Sequence, residues 1–245
     1  MKYLKLFAVF FFELIDTYLH KKRILNYLKK NGFTVKIFFD VGSHKGTYTD
    51  LFLKNYKISK AYIFEPQKNI FEFLKNKYKK NNKIFISNNA ISDQNTFRKL
   101  FINRHDVTSS LTILDSNNLY LRIKSILFGG KSMIINSYHV KTIKLKNFIE
   151  KNKIKKIDLI KIDTQGFEEE VLKGSIKCIK KNSIEFIEIE MIFENLYDRH
   201  SNFIDIEQYL IKNNYRLIGI NRPTNIISDS NFSADVIYTL NKNID

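Results

Sequence analysis

The 245-residue chain contains one cysteine, two prolines and no tryptophan. A lone thiol, Cys178, excludes a disulfide framework and any structural zinc site built on two or more thiolates. It fits a reducing, cytoplasmic setting. The uncharged apolar run Leu6–Phe12 falls far short of a bilayer span. Glu13 and Asp16 stand where a signal peptide would place its small-residue cleavage site. No internal repeat and no low-complexity linker interrupts the chain. Acidic residues are scarce as well: 25 Asp and Glu face 41 Lys and Arg, for a net charge of +16.

That charge has two readings. A basic protein invites nucleic acid or an anionic membrane as partner. The chain is also crowded with Lys, Asn, Ile, Phe and Tyr, whose codons are AT-rich, so genome bias alone could raise the charge. Diffuse lysines would mark bias; a clustered patch would mark function. The other proportions, 44% hydrophobic and 27% charged, are ordinary for a globular chain long enough for one well-buried core.

Leu4, Phe7, Phe11, Leu14, Tyr18 and Leu25 recur at helical spacing. Residues 1–34 are therefore expected to form an N-terminal helical extension packed on the domain. Lys21, Lys22 and Arg23 keep open a second use for residues 1–25, peripheral contact with the inner face of a membrane. From residue 35 onward, strands and helices alternate. Strands are expected at Val35–Asp40, Ala61–Phe64, Ile84–Ser87, Val140–Ile143, Ile157–Ile162, Ile184–Ile189, Arg216–Ile220 and Val236–Leu240, with a β-like stretch at Phe97–Ile102. Helices are expected over Thr47–Asn55, Gln67–Tyr78, Lys146–Lys153, Glu168–Ile179 and Phe203–Lys212. This alternation implies one α/β domain over 35–245, with a mostly parallel sheet and helices on both faces. Arg104–His139 is weakly periodic and broken by Gly129-Gly130; with Ser109, Ser110, Tyr120, Arg122 and Tyr138 it suits a lid over a sugar.

Ligands of such sheets bind at the carboxyl ends of the strands. After the first strand the chain reads Asp40-Val-Gly42-Ser43-His44-Lys-Gly46-Thr47. This spacing lacks the second glycine of the dinucleotide fingerprint and the Lys-Ser/Thr ending of a P-loop. Glu65-Pro66 ends the second strand, 23 residues beyond Gly42, where an acid can accept both hydroxyls of a ribose. Asp163 ends a buried strand, and an acid in that position needs a partner. Glu168 opens the next helix, where a carboxylate also favours the helix dipole.

Asp-x-Gly-x-x-x-Gly is the pattern of S-adenosylmethionine-dependent methyltransferases, and the whole set resembles the FkbM-type family of such enzymes. The resemblance rests on Phe39–Thr49, Phe64-Glu-Pro66, Asn89-Ala-Ile-Ser-Asp93, Ser109-Ser-Leu111, Ile160–Glu168, Val171–Gly174 and Glu188-Ile-Glu190, within residues 35–221. It implies a Rossmann-like class I methyltransferase fold with a seven-stranded sheet, S-adenosyl-L-methionine as cofactor, and O-methylation of a sugar, glycan or related metabolite. It further implies cofactor binding by Asp40, Gly42, Ser43, Gly46, Thr47, Glu65, Pro66, Asn89, Ala90 and Asp93. Asp163 and Glu168 would face the transfer site. Two positions depart from the family: Lys146-Asn147 replace an acidic pair, and Gln165 stands where many members carry Glu.

A hydroxyl acceptor benefits from a base, and Asp163, Glu168 and His44 are the candidates, with His44 equally able to orient the cofactor. His105, His139 and His200 lie in less certain segments. No metal is expected, because Asp163 and Glu190 make at most part of a ligand set. The two prolines exclude the Asn/Asp-Pro-Pro-aromatic loop of exocyclic-amine methylation, and Cys178 lies in a helix rather than at an active edge. A small-molecule or glycan acceptor is thus favoured over nucleic acid. Ribose 2′-O-methylation stays open, as does a basic RNA- or membrane-binding module without catalysis.

Overall fold

The computed structural model describes residues 21–104, 106–115, 118, 133–175, 178–179, 181, 183–193, 197–198, 202–221 and 233–241. Ten strands are found among them: β1 (Ile37–Val41), β2 (Lys60–Phe64), β3 (Ile84–Ser87), β4 (Ala90–Ile91), β5 (Thr96–Asn103), β6 (Ile134–Ile143), β7 (Ile157–Ile162), β8 (Ile184–Ile192), β9 (Tyr215–Asn221) and β10 (Ser233–Leu240). The helices are α1 (Lys21–Lys30), α2 (Thr47–Asn55), α3 (Lys68–Tyr78), α4 (Leu145–Lys151), α5 (Glu168–Gly174) and α6 (Phe203–Lys212). Seven strands form one sheet in the order β3-β2-β1-β7-β8-β10-β9. All its pairs are parallel except the two that β10 makes.

Strand alternation divides the core into two faces. Phe39, Val41, Ile160, Ile162, Ile187 and Ile189 point toward α4, α5 and α6, where Leu145, Ile149, Val171, Leu172, Ile206 and Leu210 meet them. Phe38, Leu159 and Phe186 point the other way, onto Ile24, Leu25 and Leu28 of α1 and Leu51 and Phe52 of α2. α1 thus packs on the sheet; residues 1–20 lie outside the described set. No helix among the described residues is long and apolar enough to cross a membrane.

Two expectations need correction. Arg104–His139 is not wholly an insertion: β6 starts at Ile134 and makes a small second sheet, β4-β6-β5. Before Val140 its residues are exposed or half-buried in no regular alternation, so no apolar run announces the start of the strand. Of the proposed lid, most of 116–132, with Tyr120, Arg122 and Gly129-Gly130, lies outside the described residues. The helix expected over Glu168–Ile179 is broken after Gly174, where the Ser175 hydroxyl turns back to the Val171 carbonyl at 2.7 Å; Cys178 and Ile179 are helical again.

The sheet also buries a row of charge. Register places Asp40, Lys161 and Glu188 side by side on β1, β7 and β8, all on the α1/α2 face and all nearly inaccessible. Asp40 accepts the Thr49 hydroxyl at 2.6 Å, and Glu188 accepts that of Tyr48, so both acids are tied to α2. Burial opposes the Lys161 ammonium, but Asp163 and Asp40 outweigh it and hold its pKa above the ordinary lysine value. Burial, reinforced by Asp235, pushes Glu188 up to about 8.

Replacing Lys161 by Met should cost about 3–5 kcal/mol in urea unfolding at neutral pH, because Asp40 and Asp163 lose their cation. A carboxyl with a raised folded pKa stabilises most below its unfolded value and loses that contribution as pH rises through the folded one. Glu188→Gln should therefore flatten the fall in stability between about pH 4.5 and 8.

Candidate cofactor and acceptor site

The loops leaving β1, β2 and β7 meet at the carboxyl edge of the sheet. Gly42 takes φ +80°, and its N–H and that of Ser43 both reach the Phe64 carbonyl, at 3.0 and 3.3 Å. A Cβ on Gly42 would fall 1.8 Å from the Asp163 carbonyl oxygen. The glycine is therefore required by the neighbouring loop of this same chain. Gly46, φ +73°, meets the Tyr78 hydroxyl in the same way, at 2.4 Å from a built Cβ. That hydroxyl bonds the Gly46 carbonyl at 2.9 Å and locks the start of α2 against α3.

Glu65 is held from both sides. One oxygen accepts the His44 N–H at 2.9 Å and the other the Gln67 N–H at 2.8 Å. Burial raises its pKa to about 7 against the pull of these two amides. Each carboxylate oxygen retains an acceptor direction for a further donor.

These residues border an open cleft at the carboxyl edge of the sheet. Gly42, His44, Glu65, Pro66, Ala90 and Asp163, all expected site residues, line it. Ile91, Leu100 and Phe167 supply apolar wall, and Ser109, Ser110 and Leu111 close one side. The Ser110 hydroxyl fixes that side by bonding the Gln165 carbonyl at 2.7 Å.

Other expected residues sit elsewhere. Asp40, fully buried in the charge row, and Ser43, Gly46 and Thr47 do not line the cavity. The Asn89 amide bonds Ser87 at 2.8 Å, and Asp93 pairs with Arg98 at 3.1 Å; neither lines it. Glu168 is turned into the loop before α5. Its carboxylate takes the Thr164 N–H at 2.9 Å, the Thr164 hydroxyl at 3.0 Å and the Gly166 N–H. It shapes that loop instead of facing the cavity. His139 is exposed on β6, and His105 and His200 lie outside the described residues.

Asp163 reaches the cavity with its charge already balanced. Lys161 Nζ stands 2.7 Å from one oxygen and Gln165 Nε2 is 2.9 Å from the other. Burial would raise this carboxyl, but Lys161 outweighs it and holds the pKa well below the usual carboxylate range. Gln165 Nε2 also reaches Glu190 at 2.5 Å, and burial next to Asp163 keeps Glu190 protonated far above its normal range. An amide at 165 donates to two acids; a carboxylate there would add a third.

Sequence reasoning missed Asp106. It sits in a 3-10 turn (Asp106–Thr108) and places Oδ1 3.2 Å from His44 Nε2, while Gln67 Nε2 donates to its backbone carbonyl at 3.1 Å. Burial lowers the His44 pKa and Asp106 opposes the shift, so the imidazole is neutral at pH 7. Lys161 was missed too, although a lysine inside an otherwise apolar strand already demanded an acidic partner. Among the described residues no group of three or more His, Cys, Asp or Glu is arranged to hold a metal ion.

The profile of the family described as the methyltransferase FkbM domain matches residues 40–217. No curated protein matches the sequence. Among solved structures, magnesium protoporphyrin IX methyltransferase (ChlM) of Synechocystis PCC 6803 superposes with a TM-score of 0.50 at 10% identity, over 90% of this chain and 77% of that one. An S-adenosylmethionine-dependent methyltransferase of Clostridium acetobutylicum ATCC 824 gives 0.50 at 10%, over 95% and 98%. Streptococcus pneumoniae Sp1610, proposed to be a tRNA (m1A22) methyltransferase, gives 0.50 at 10%, over 88% and 68%. At such identity the likeness is one of fold: a Rossmann-like class I methyltransferase sheet.

The two loop glycines separate strain from crowding. Gly32, φ +70°, has nothing within 4 Å of a built Cβ, so Gly32→Ala should cost only the left-handed penalty, about 1–2 kcal/mol. Gly42→Ala adds the collision with Asp163 and should cost more than about 3 kcal/mol in urea unfolding.

Proposed function

The chain belongs to the FkbM methyltransferase family, whose cofactor is S-adenosylmethionine, and from that premise we propose that it methylates a hydroxyl oxygen of a sugar, glycan or related metabolite. The observation that carries the oxygen acceptor is His44, a neutral base on the cavity wall with the Asp106 carboxylate 3.2 Å from its Nε2. The buried single thiol and the absence of a Pro-Pro loop support it by removing the usual apparatus for carbon and exocyclic-amine acceptors. The lone reduced cysteine also supports a cytoplasmic setting.

The residues present fit the cofactor. Glu65 is a buried carboxylate with acceptor capacity left over, suited to ribose hydroxyls. Pro66, Ala90 and Ile91 offer an apolar slot for a base, and Asp163 brings negative charge to the end where an ammonium and a sulfonium would lie. Bound there, S-adenosylmethionine supplies a methyl group already activated for displacement. The chain has three tasks. Its loops would hold the acceptor oxygen in position for displacement. The His44 imidazole would accept the proton of the acceptor hydroxyl. Asp106 holds that imidazole, and Lys161 keeps Asp163 ionised throughout. Asp163 is thus better suited to charge stabilisation than to proton removal, while Glu168 positions the Thr164–Gly166 turn.

Calorimetric titration of S-adenosylmethionine should show binding that weakens as pH falls below about 7, where Glu65 becomes protonated. Glu65→Gln should bind at least roughly tenfold more weakly and lose that pH dependence; absence of binding by the wild type would remove the enzyme reading. Incubation with methyl-labelled cofactor and separated cell glycans, lipids and RNA should label the glycan or metabolite fraction, and label in RNA alone would overturn the sugar assignment. With an acceptor in hand, His44→Asn should lower kcat/KM by about 10²–10⁴ with cofactor affinity retained. Asp106→Asn should shift the acid limb of the pH profile to lower pH, because it removes the group that raises the His44 pKa.

A further inference from the structure

Lysines recur at one edge of the sheet. β1, β2, β3, β7, β8 and β9 run in the same direction, so their leading loops share the amino edge of the sheet, opposite the cavity. Lys36, Lys57, Lys83, Lys155, Lys181 and Lys212 stand in front of these strands, one per strand, and each is exposed. The loops before β3 and β7 add Lys79, Lys80 and Lys153, also exposed. In the loops leaving β1, β2, β3 and β7 (residues 42–46, 65–67, 88–89 and 163–167) the only lysine is Lys45. Codon bias would enrich both edges alike.

Local neutralisation does not absorb this charge. Asp158 at the same edge spends one carboxylate oxygen on the N–H groups of Lys36 and Ile37, both at 2.8 Å, and Glu185 pairs with Lys156 at 3.0 Å. Among the described residues Lys80, Lys83, Lys153 and Lys155 enter no ion pair. Lysines in a last helical turn, such as Lys29 and Lys30 of α1, offset the helix dipole. Lys80, Lys83, Lys153 and Lys155 lie beyond the helix ends and are not needed for that.

We propose that this lysine-lined amino edge docks the enzyme on an anionic phospholipid surface, leaving the cavity facing away from the bilayer. A seven-stranded sheet spreads the charges over roughly 29 Å, a broad plane matched to a headgroup layer. The same edge holds a groove with Ile149, Ile154 and Cys178 as its apolar part, where four lysines, Lys146, Lys153, Lys155 and Lys181, outnumber the one acid, Glu150. Phosphate with apolar matter directly beneath it describes a membrane surface better than a nucleic acid backbone. The edge lies opposite the cavity, so a headgroup held here is a platform and not the acceptor. The surface is separate from residues 1–20.

Co-sedimentation of the full-length protein with vesicles of equal parts phosphatidylserine and phosphatidylcholine tests the proposal, with pure phosphatidylcholine as the neutral comparison. Binding is expected to the anionic vesicles only and to fall steeply with added salt. The quadruple variant Lys80→Glu, Lys83→Glu, Lys153→Glu, Lys155→Glu should lose more than about a hundredfold in vesicle affinity. A variant carrying Lys99→Glu and Lys141→Glu on the small sheet, with Lys68→Glu and Lys75→Glu on α3, changes net charge equally and should lose less than about tenfold. Cofactor binding by calorimetry reports that each variant is folded. Equal loss in the two variants, equal binding to neutral vesicles, or retention of a duplex RNA with none of the vesicles would each overturn it.

Discussion

The ammonium of Lys161 is the interaction on which the site depends. It is buried in the middle of a parallel sheet, where an ion without partners costs several kcal/mol. Register sets Asp40 on one side of it and Glu188 on the other, and its own strand delivers Asp163 two residues later. A parallel sheet makes this possible: neighbouring strands run in step, so three sequence-distant residues share one row. The single cation decides which acids are ionised. Asp163 stays anionic at the cavity, while Glu188 and Glu190 hold their protons to higher pH than ordinary carboxyls. The negative charge presented to a cationic ligand is thus set from beneath the site.

The second constraint is steric. β1 and β7 are hydrogen-bonded neighbours, so the loops that leave them collide unless one lacks a side chain; Gly42 is that residue. Once the loops touch, the Asp163 N–H bonds the Val41 carbonyl at 3.0 Å and the acid is fixed relative to the glycine turn. His44 then lies over the β2 end with its N–H on Glu65, and its ring meets Asp106. Backbone contacts fix these loops to one another at the edge of the cavity.

Much of this was legible in the sequence because the signals were local. The glycine turn, Glu65-Pro66 and the Ile160–Glu168 segment are contiguous, each lies at a strand end, and strand-end position in an α/β sheet is nearly the same statement as proximity to the ligand. The failures were relational. Asp106 meets His44 only after 60 residues of intervening chain have folded, in a 3-10 turn without periodicity. Asp40 and Glu168 carry acids of the right type at the right edge, yet side-chain direction sends one into the sheet and the other into its own loop. Strand β6 was obscured because neither of its faces is wholly apolar, so alternation, the signal of a half-buried strand, never stood out. The glycines have a reason within the fold that the motif does not state: they accommodate Asp163 and Tyr78 of this chain.

Charge in this protein is ordered along the strand direction, and the ordering has one physical origin with two consequences. In a β–α–β fold every crossover helix runs antiparallel to the strands, so helix N-termini gather at the carboxyl edge and C-termini at the amino edge. The positive ends lower the cost of placing acids near the cavity, where Glu65, Asp163 and Glu168 stand. The negative ends lower the cost of lysine at the opposite edge, and Lys30, Lys54, Lys77, Lys151 and Lys212 occupy the last turns of helices or sit just at their ends. Dipole compensation explains a lysine at a helix end. It does not explain Lys57, Lys83 or Lys155, which lie past the helices and form no ion pair among the described residues. Like charges gathered in loops that gain no dipole stabilisation lower stability in isolation, and a bias of composition would have dispersed them. Their concentration on one face of a +16 chain is therefore a property of that face, to be accounted for by what it meets.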